Sequence, residues 1–144
     1  MDQRLSLLTL GVADLERAKA FYERTLGWAP AGQAEGVAFY NVGSCVLSLY
    51  PHADLARDME MAPAPPPPYR GVTLALNLAS RDEVDALFAE LTSKGVTIVK
   101  APEAIFWGGY VGFFADPDGH VWEVAHNPQW PLDADGRPVP PAAG

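Results

Sequence analysis

Glu123 is the side chain best placed to do chemistry. It is the one charged residue in the apolar segment VWEVA, residues 121–125, which lies within a predicted strand at 120–126. A carboxylate that faces an apolar concave site can act as a general base, or it can hold an amine or hydroxyl group of a ligand. The alternative is a carboxylate satisfied within the scaffold. Because an inward acid costs stability unless something is paired with it, we predict a functional role for Glu123.

The remaining candidate ligands and nucleophiles are three histidines and one cysteine. His120 and His126 are each three residues from Glu123, so alternation directs them to the opposite face of the sheet. His52 lies beyond a strand end, and a rearranged metal site that uses His52 and Glu123 remains open. Cys45 has no basic neighbour in sequence to activate it and is predicted to be a small core residue. The sequence contains no nucleophile elbow, phosphate loop or zinc-knuckle spacing.

Two glycines stand between two large rings in Trp107-Gly108-Gly109-Tyr110. Glycine permits close approach to the backbone, so this segment is interpreted as a mobile edge where a planar ligand contacts Trp107 and Tyr110. A plain loop is the alternative.

The elements that position these residues follow from hydrophobic spacing. In the first half, Leu5–Val12 alternates like a strand, Asp14 is an N-cap, and a helix runs to Gly27. In the second half, Val72–Leu78 is a strand, and Ser80 with Glu83 forms the capping box of a second helix. Three strands are predicted after each helix: 28–33, 37–41 and 45–50, then 96–100, 110–115 and 120–126.

The two halves repeat one another. An offset of 66 aligns Leu8 with Leu74, and an offset of 75 places Ser48 on Glu123. The Pro-rich stretch APAPPPPY cannot lie inside a helix and separates the halves. We predict one α+β domain over residues 1–128, with two tandem βαβββ modules at 4–58 and 71–128, a linker at 59–70, and a tail at 129–144. The modules should form a half-barrel cup.

Composition narrows the function classes. The net charge of −8, with ten scattered basic residues, argues against nucleic acid and makes a cationic or neutral ligand easier to accommodate. No apolar run reaches the ~20 residues of a membrane span, and no signal peptide is indicated. A single cysteine gives no intramolecular disulfide, so a cytoplasmic location is expected.

The chain resembles the vicinal oxygen chelate superfamily of glyoxalases, bleomycin resistance proteins and extradiol dioxygenases. The strings GVADLERAKAFYERTLGW and GFFADPDGHVWEVAHNP carry this resemblance, which covers about residues 4–128. The resemblance is specific for the fold and does not identify the reaction, because members of the superfamily isomerise substrates, cleave rings, inactivate antibiotics or bind them. It also implies a homodimer, for which exposed strand edges give a physical reason.

The resemblance implies four inward positions for metal ligands. By the internal alignment they fall on Leu7, Ser48, Thr73 and Glu123, with Val72 as the alternative to Thr73. Only Glu123 is a usual ligand, whereas a transition metal needs about three or four imidazole, thiolate or carboxylate groups. We therefore expect a metal-independent binder of a small, planar or cationic molecule, with no cofactor. A metal-dependent lyase, isomerase or ring-cleaving dioxygenase, with a divalent metal, is the alternative, and a structural dimer without a ligand is a third hypothesis.

Overall fold

The computed structural model describes residues 1–32 and 34–142. Within it the chain divides into two compact units, Met1–Arg70 and Gly71–Gly144. Each unit is a mixed α+β structure with one small sheet. No helix in the described part of the chain is long and apolar enough to cross a membrane.

The N-terminal unit contains three strands and two α-helices. Its strands are β1 (Leu7–Val12), β2 (Ala38–Asn41) and β3 (Val46–Pro51), and its helices are α1 (Leu15–Ala20) and α2 (His52–Asp58). The sheet order is β1-β3-β2, in which β1 and β3 are parallel and β2 is antiparallel to β3. Alternation along β1 buries Leu10 and Val12 on one face of the sheet, whereas Leu7 and Thr9 on the other face are exposed.

The first helix begins as the sequence predicts but changes type. The Asp14 side chain accepts a hydrogen bond from the Arg17 amide at 2.9 Å, which caps the helix. From Phe21 to Thr25 the chain is a π-helix. Phe21 and Tyr22, which are consecutive in sequence, are both buried within it.

Two details of the N-terminal unit differ from the prediction. Residues 28–32 of the predicted strand 28–33 are not in a strand, and Gln33 lies outside the described residues. The Trp28 amide bonds back to the Tyr22 carbonyl at 2.9 Å and Pro30 has no N–H to donate, so the Ala31 amide bonds to the Phe39 carbonyl at 2.7 Å without a regular ladder forming there. Helix α2 was not predicted.

The C-terminal unit contains four strands and one helix. Its strands are β4 (Leu74–Asn77), β5 (Thr97–Ala104), β6 (Tyr110–Ala115) and β7 (Val121–His126), and its helix is α3 (Arg81–Ser93). The sheet order is β4-β7-β6-β5, with β4 and β7 parallel and the other pairs antiparallel. Strand β4 is shorter than the predicted Val72–Leu78, because Gly71 has a positive φ of 68° and Leu74 is the first residue of the ladder.

The capping box and the tight turn predicted for this unit are both present in the structure. Ser80 accepts a hydrogen bond from the Glu83 amide at 3.2 Å, and the Glu83 carboxylate accepts one from the Ala79 amide at 3.0 Å. The Asp116–Gly119 turn is closed by a bond from the Gly119 amide to the Asp116 carbonyl, with Gly119 at a φ of 80°. This turn fixes the register of the β6–β7 hairpin.

Candidate functional site

The face of the N-terminal sheet that contains Leu7 and Thr9 carries a pair of hydroxyl groups. In the ladder Ser48 lies opposite Thr9 on β1 and opposite Phe39 on β2. The Oγ atoms of Thr9 and Ser48 are 2.6 Å apart, and Ser48 is buried. Leu7, two residues before Thr9, lies on the same face and is half exposed. The Ser48 hydroxyl is therefore already hydrogen-bonded.

His52 lies at the start of α2, over the same face. A Cβ atom placed on Gly11 would meet the His52 Nδ1 atom at 2.8 Å, so the imidazole packs directly on the β1 backbone. Its Nε2 atom is 2.8 Å from the carbonyl oxygen of Ala64 in the Pro-rich stretch. This contact ties the imidazole to the segment that follows α2.

Glu123 occupies the corresponding row of the C-terminal sheet. It lies opposite Ala75 on β4 and opposite Phe113 on β6. Thr9 and Ala75 are related by the predicted offset of 66, and Ser48 and Glu123 by the offset of 75, so each pair has the same ladder position in its own unit. Thr73 lies before β4 and is exposed.

The Glu123 side chain is half-buried and lacks a protein partner in the described residues. No hydrogen bond or ion pair joins its carboxylate to residues 1–32 or 34–142. The cation in its row is Lys100, opposite Phe113, and the Lys100 Nζ atom forms an ion pair with Glu103 instead. The position that holds a satisfied hydroxyl in one unit therefore holds an uncompensated acid in the other.

Two neighbours of Glu123 were not identified from the sequence. Asn77 is two residues after Ala75 on β4, which places it on the face of Glu123, and it is half-buried. Phe113 is the direct cross-strand neighbour of Glu123, which puts their Cβ atoms about 5 Å apart. The alternation of Leu74-Ala75-Leu76-Asn77 was the available signal for Asn77. No feature of the sequence predicted that Phe113 would lie opposite Glu123.

Tyr110 faces away from Glu123. It pairs with His126, and both lie on the side of the sheet that packs against α3. Its hydroxyl donates to Asp85 Oδ1 at 2.8 Å, and the Arg81 guanidinium is 5.5 Å from the ring centroid. The hydrogen bond to Asp85 is the main cause that raises the pKa of Tyr110, with smaller effects from desolvation and the Asp85 charge, while Arg81 opposes them.

The glycine loop is packed rather than open. A Cβ atom on Gly109 would overlap the Trp107 ring, and Gly109 is buried. The Gln129 side-chain amide donates to the Trp107 carbonyl at 3.0 Å, so the segment after β7 also holds the loop. The side chain left fully exposed beside it is Phe106.

A separate cleft of about 500 Å³ lies on the helix side of the N-terminal sheet. Lys19 and Glu23 border it from the helix, and Glu35 and Val37 border it from the following hairpin. The Glu23 carboxylate accepts a hydrogen bond from the buried Tyr40 hydroxyl at 3.0 Å. None of the predicted site residues lines this cleft.

The residues present do not fit the metal site that the resemblance implies. Leu7 has no donor atom and Thr73 supplies only a hydroxyl. The His120 Nδ1 atom is 2.8 Å from the Asp116 carboxylate, and the His126 Nδ1 atom is 3.2 Å from the Leu78 carbonyl. No group of three or more His, Cys, Asp or Glu side chains suited to a metal occurs in the described part of the chain.

Comparison with known proteins establishes the family. The model of the Glyoxalase/Bleomycin resistance protein/Dioxygenase superfamily matches residues 4–124. The chain belongs to this superfamily, as the two sequence segments quoted above indicated. The mixed α+β structure, with two small sheets and few helices, matches this fold.

Individual relatives place the chain within that broad group. It is 36% identical to a glyoxalase-related enzyme from Fulvimarina pelagi, covering 97% of this chain and 99% of that one, with a TM-score of 0.87. It is 28% identical over 122 residues to Metallothiol transferase FosB of Lysinibacillus sphaericus, covering 84% of this chain and 80% of that protein. A lactoylglutathione lyase from Agrobacterium tumefaciens is 22% identical, covers 92% of this chain and 100% of that one, and shares the fold with a TM-score of 0.70.

Proposed function

We propose that this protein binds a small molecule through the Glu123 carboxylate without a metal ion. The observation that carries the proposal is the half-buried carboxylate of Glu123, which has no hydrogen-bond or ion-pair partner among the described residues. Removing a carboxylate from water is costly unless it gains a hydrogen-bond or ion-pair partner. A ligand that supplies a hydrogen-bond donor to Glu123 would offset that cost. Glu123 then binds and orients a donor group, and is the candidate base if a proton is transferred.

The composition of this face supports the same proposal. Phe113 supplies a ring beside Glu123, Asn77 supplies a carboxamide, and Ala75 leaves space over the sheet on the far side of Glu123. Leu7, Ser48 and Thr73 remain proposed contacts from the internal alignment, as does Trp107. Tyr110 is left out, because its side chain lies on the opposite face of its sheet.

The second candidate is a metal-dependent enzyme. It is favoured by the 28% identity to a relative named as a metallothiol transferase. A metal would need His52 or other donors beside Glu123, and the His52 Nε2 atom is already bonded to the Ala64 carbonyl. A lyase, isomerase or dioxygenase activity belongs to this alternative. A homodimer and a cytoplasmic location are further proposals from the sequence and the family.

Thermal unfolding with and without metal distinguishes the two candidates. We expect Zn²⁺, Ni²⁺ or Mn²⁺ added to chelator-treated protein to leave the melting temperature unchanged. A metal at about a hundred times its Kd would stabilise the folded state by about 2.7 kcal/mol, which is an easily measured shift. A rise in melting temperature that chelator reverses, and that is lost in Glu123→Gln, would overturn the metal-independent proposal.

A further inference from the structure

We propose that the ligand of the Glu123 face is a small organic ammonium ion, held between the Glu123 carboxylate and the Phe113 ring. This inference rests on the proposed function and names the charge class of its ligand. It concerns the C-terminal sheet alone, where both residues lie on adjacent strands and face the same side.

The first step is the charge that the site leaves uncompensated. Glu123 is an acceptor with no donor among the described residues, whereas the nearest cation in its row, Lys100, is paired with Glu103. A neutral ligand would satisfy part of the hydrogen-bonding capacity of the carboxylate and none of its charge. A protonated amine satisfies both, and charge-assisted hydrogen bonds are roughly twice as strong as neutral ones.

The second step is the identity of the cross-strand neighbour. Phe113 lies directly opposite Glu123, with Cβ atoms about 5 Å apart, so a cation bound to the carboxylate lies within reach of the ring. The negative face of an aromatic ring attracts a cation within about 6 Å of its centroid. The same ring would disfavour an anionic ligand, as would the Glu123 charge itself.

The third step is the comparison with the equivalent row of the N-terminal sheet. There Phe39 also flanks the central residue, but that residue is Ser48, whose hydroxyl is 2.6 Å from the Thr9 hydroxyl. The ring is thus common to both rows, and the free charge occurs only in the Glu123 row. Cation recognition is therefore expected in the C-terminal unit and not in its counterpart.

Three probes of one shape and different charge test the inference. Phenethylammonium, 2-phenylethanol and phenylacetate are titrated into the full chain at low ionic strength and followed by calorimetry and ligand-detected NMR. We expect phenethylammonium to bind about tenfold or more tightly than 2-phenylethanol, with no binding of phenylacetate, and we expect its affinity to fall as salt is raised.

Variants separate the charge from the ring. Glu123→Gln should remove most of the preference for phenethylammonium and leave 2-phenylethanol within about twofold, while Phe113→Leu should weaken both probes. The matched control is Glu90→Gln, which removes the same charge from an exposed site on α3. Thermal unfolding of each variant establishes that it is folded.

The results that would overturn the cation inference differ from those that would overturn the proposed metal-independent role of Glu123. Equal affinity for the ammonium and the alcohol, an unchanged preference in Glu123→Gln, or no binding of phenethylammonium would each overturn the cation inference. The metal-independent role of Glu123 would still be judged separately, from the metal response and from the stability of the Gln variant. A reversible metal response would overturn that role even if phenethylammonium binds.

Discussion

At the scale of single residues, the central position of the sheet in one unit can be compared with the equivalent position in the other. Ser48 and Glu123 are equivalent by the internal offset of 75, and each has a phenylalanine opposite it. In the N-terminal unit Thr9 hydrogen-bonds to the central side chain, whereas in the C-terminal unit the equivalent residue is Ala75, which has no polar group. The first-strand neighbour of Glu123 therefore offers it no side-chain hydrogen-bond donor.

Glu123→Gln is expected to maintain or raise the free energy of unfolding. The amide keeps the shape of the side chain and removes a charge that no described cation offsets, so desolvation becomes less costly. Urea unfolding of the two proteins measures the difference. Asp116→Asn is the contrasting variant, because the buried Asp116 carboxylate accepts hydrogen bonds from the amides of Asp118 and His120 and from the His120 ring.

The contrast predicts opposite signs for the two variants. Asp116→Asn should lose on the order of 1–3 kcal/mol: its carboxamide oxygen can still accept from the amides of Asp118 and His120, but an NH2 group replaces the Oδ2 atom that the buried His120 ring contacts. A loss of about 3 kcal/mol or more in Glu123→Gln is what breaking a buried ion pair costs, and it would assign Glu123 to the scaffold.

Tyr40 makes the stability of the protein dependent on alkaline pH. Burial is the main cause that raises the pKa of Tyr40 well above its ordinary value of 10.0, followed by the hydrogen bond to Glu23 and the charges of Glu23 and Glu16. The unfolded chain ionises near pH 10 while the folded chain keeps the proton. The contribution of Tyr40 is therefore complete below pH 10 and declines above it, by about 1.4 kcal/mol per pH unit for one proton.

Above pH 10, the free energy of unfolding of Tyr40→Phe should fall less steeply with pH than that of the wild-type protein, by the contribution of one proton. Urea unfolding between pH 9 and pH 11 gives the slope for each protein. Tyr69→Phe is the matched control, because Tyr69 is 85% exposed. Equal slopes in the wild-type protein and Tyr40→Phe would contradict the prediction.

At the scale of elements, helix α3 and the C-terminal sheet fit together through one glycine. Phe88 of α3 packs where β6 has no side chain, because a Cβ atom on Gly112 would lie 2.5 Å from the Phe88 Cζ atom. The Phe88 ring then contacts Phe114 edge to face, and Phe114 stacks on Trp122. This packing fills the helix side of the sheet and leaves Glu123 on the other side.

Gly112→Ala is expected to destabilise the protein by about 1–3 kcal/mol through overpacking against Phe88. Gly32→Ala is the control, since no atom lies within 4 Å of its added Cβ, and it should change the free energy of unfolding by less than about 0.5 kcal/mol. Denaturant unfolding measures both. Equal stability of the two variants would show that α3 moves freely enough to accept the methyl group.

At the scale of the whole molecule, the two units share the pairing of their first and last strands but carry different side chains at the equivalent positions. Each unit has a sheet with its first strand parallel to its last, and each places its central position between a first-strand residue and a phenylalanine. The superfamily match over residues 4–124 spans both units. Because members of one fold carry different reactions, the side chains at these few positions decide function, and here they lack a transition-metal ligand set.

The repeat, the helix caps and the tight turn could be predicted from the amino-acid sequence. Asp14, Ser80 and Asp116–Gly119 act on neighbours within four residues, so local chemistry is sufficient to predict them. The period of two along a strand likewise placed Glu123 on the face opposite His126. The predicted strand at 28–33 was wrong over residues 28–32, and α2 was missed, because tertiary contacts outweigh short and weakly patterned signals.

Which side chains are neighbours across the sheets depends on tertiary structure. Strand register is a long-range pairing, and a shift of one residue would exchange the two faces of a strand. That is why Phe113 beside Glu123, Tyr110 on the opposite face and Asn77 near the acid could not be derived from spacing alone. Whether a carboxylate is satisfied depends on every strand around it, so the unpartnered state of Glu123 is a property of the folded sheet.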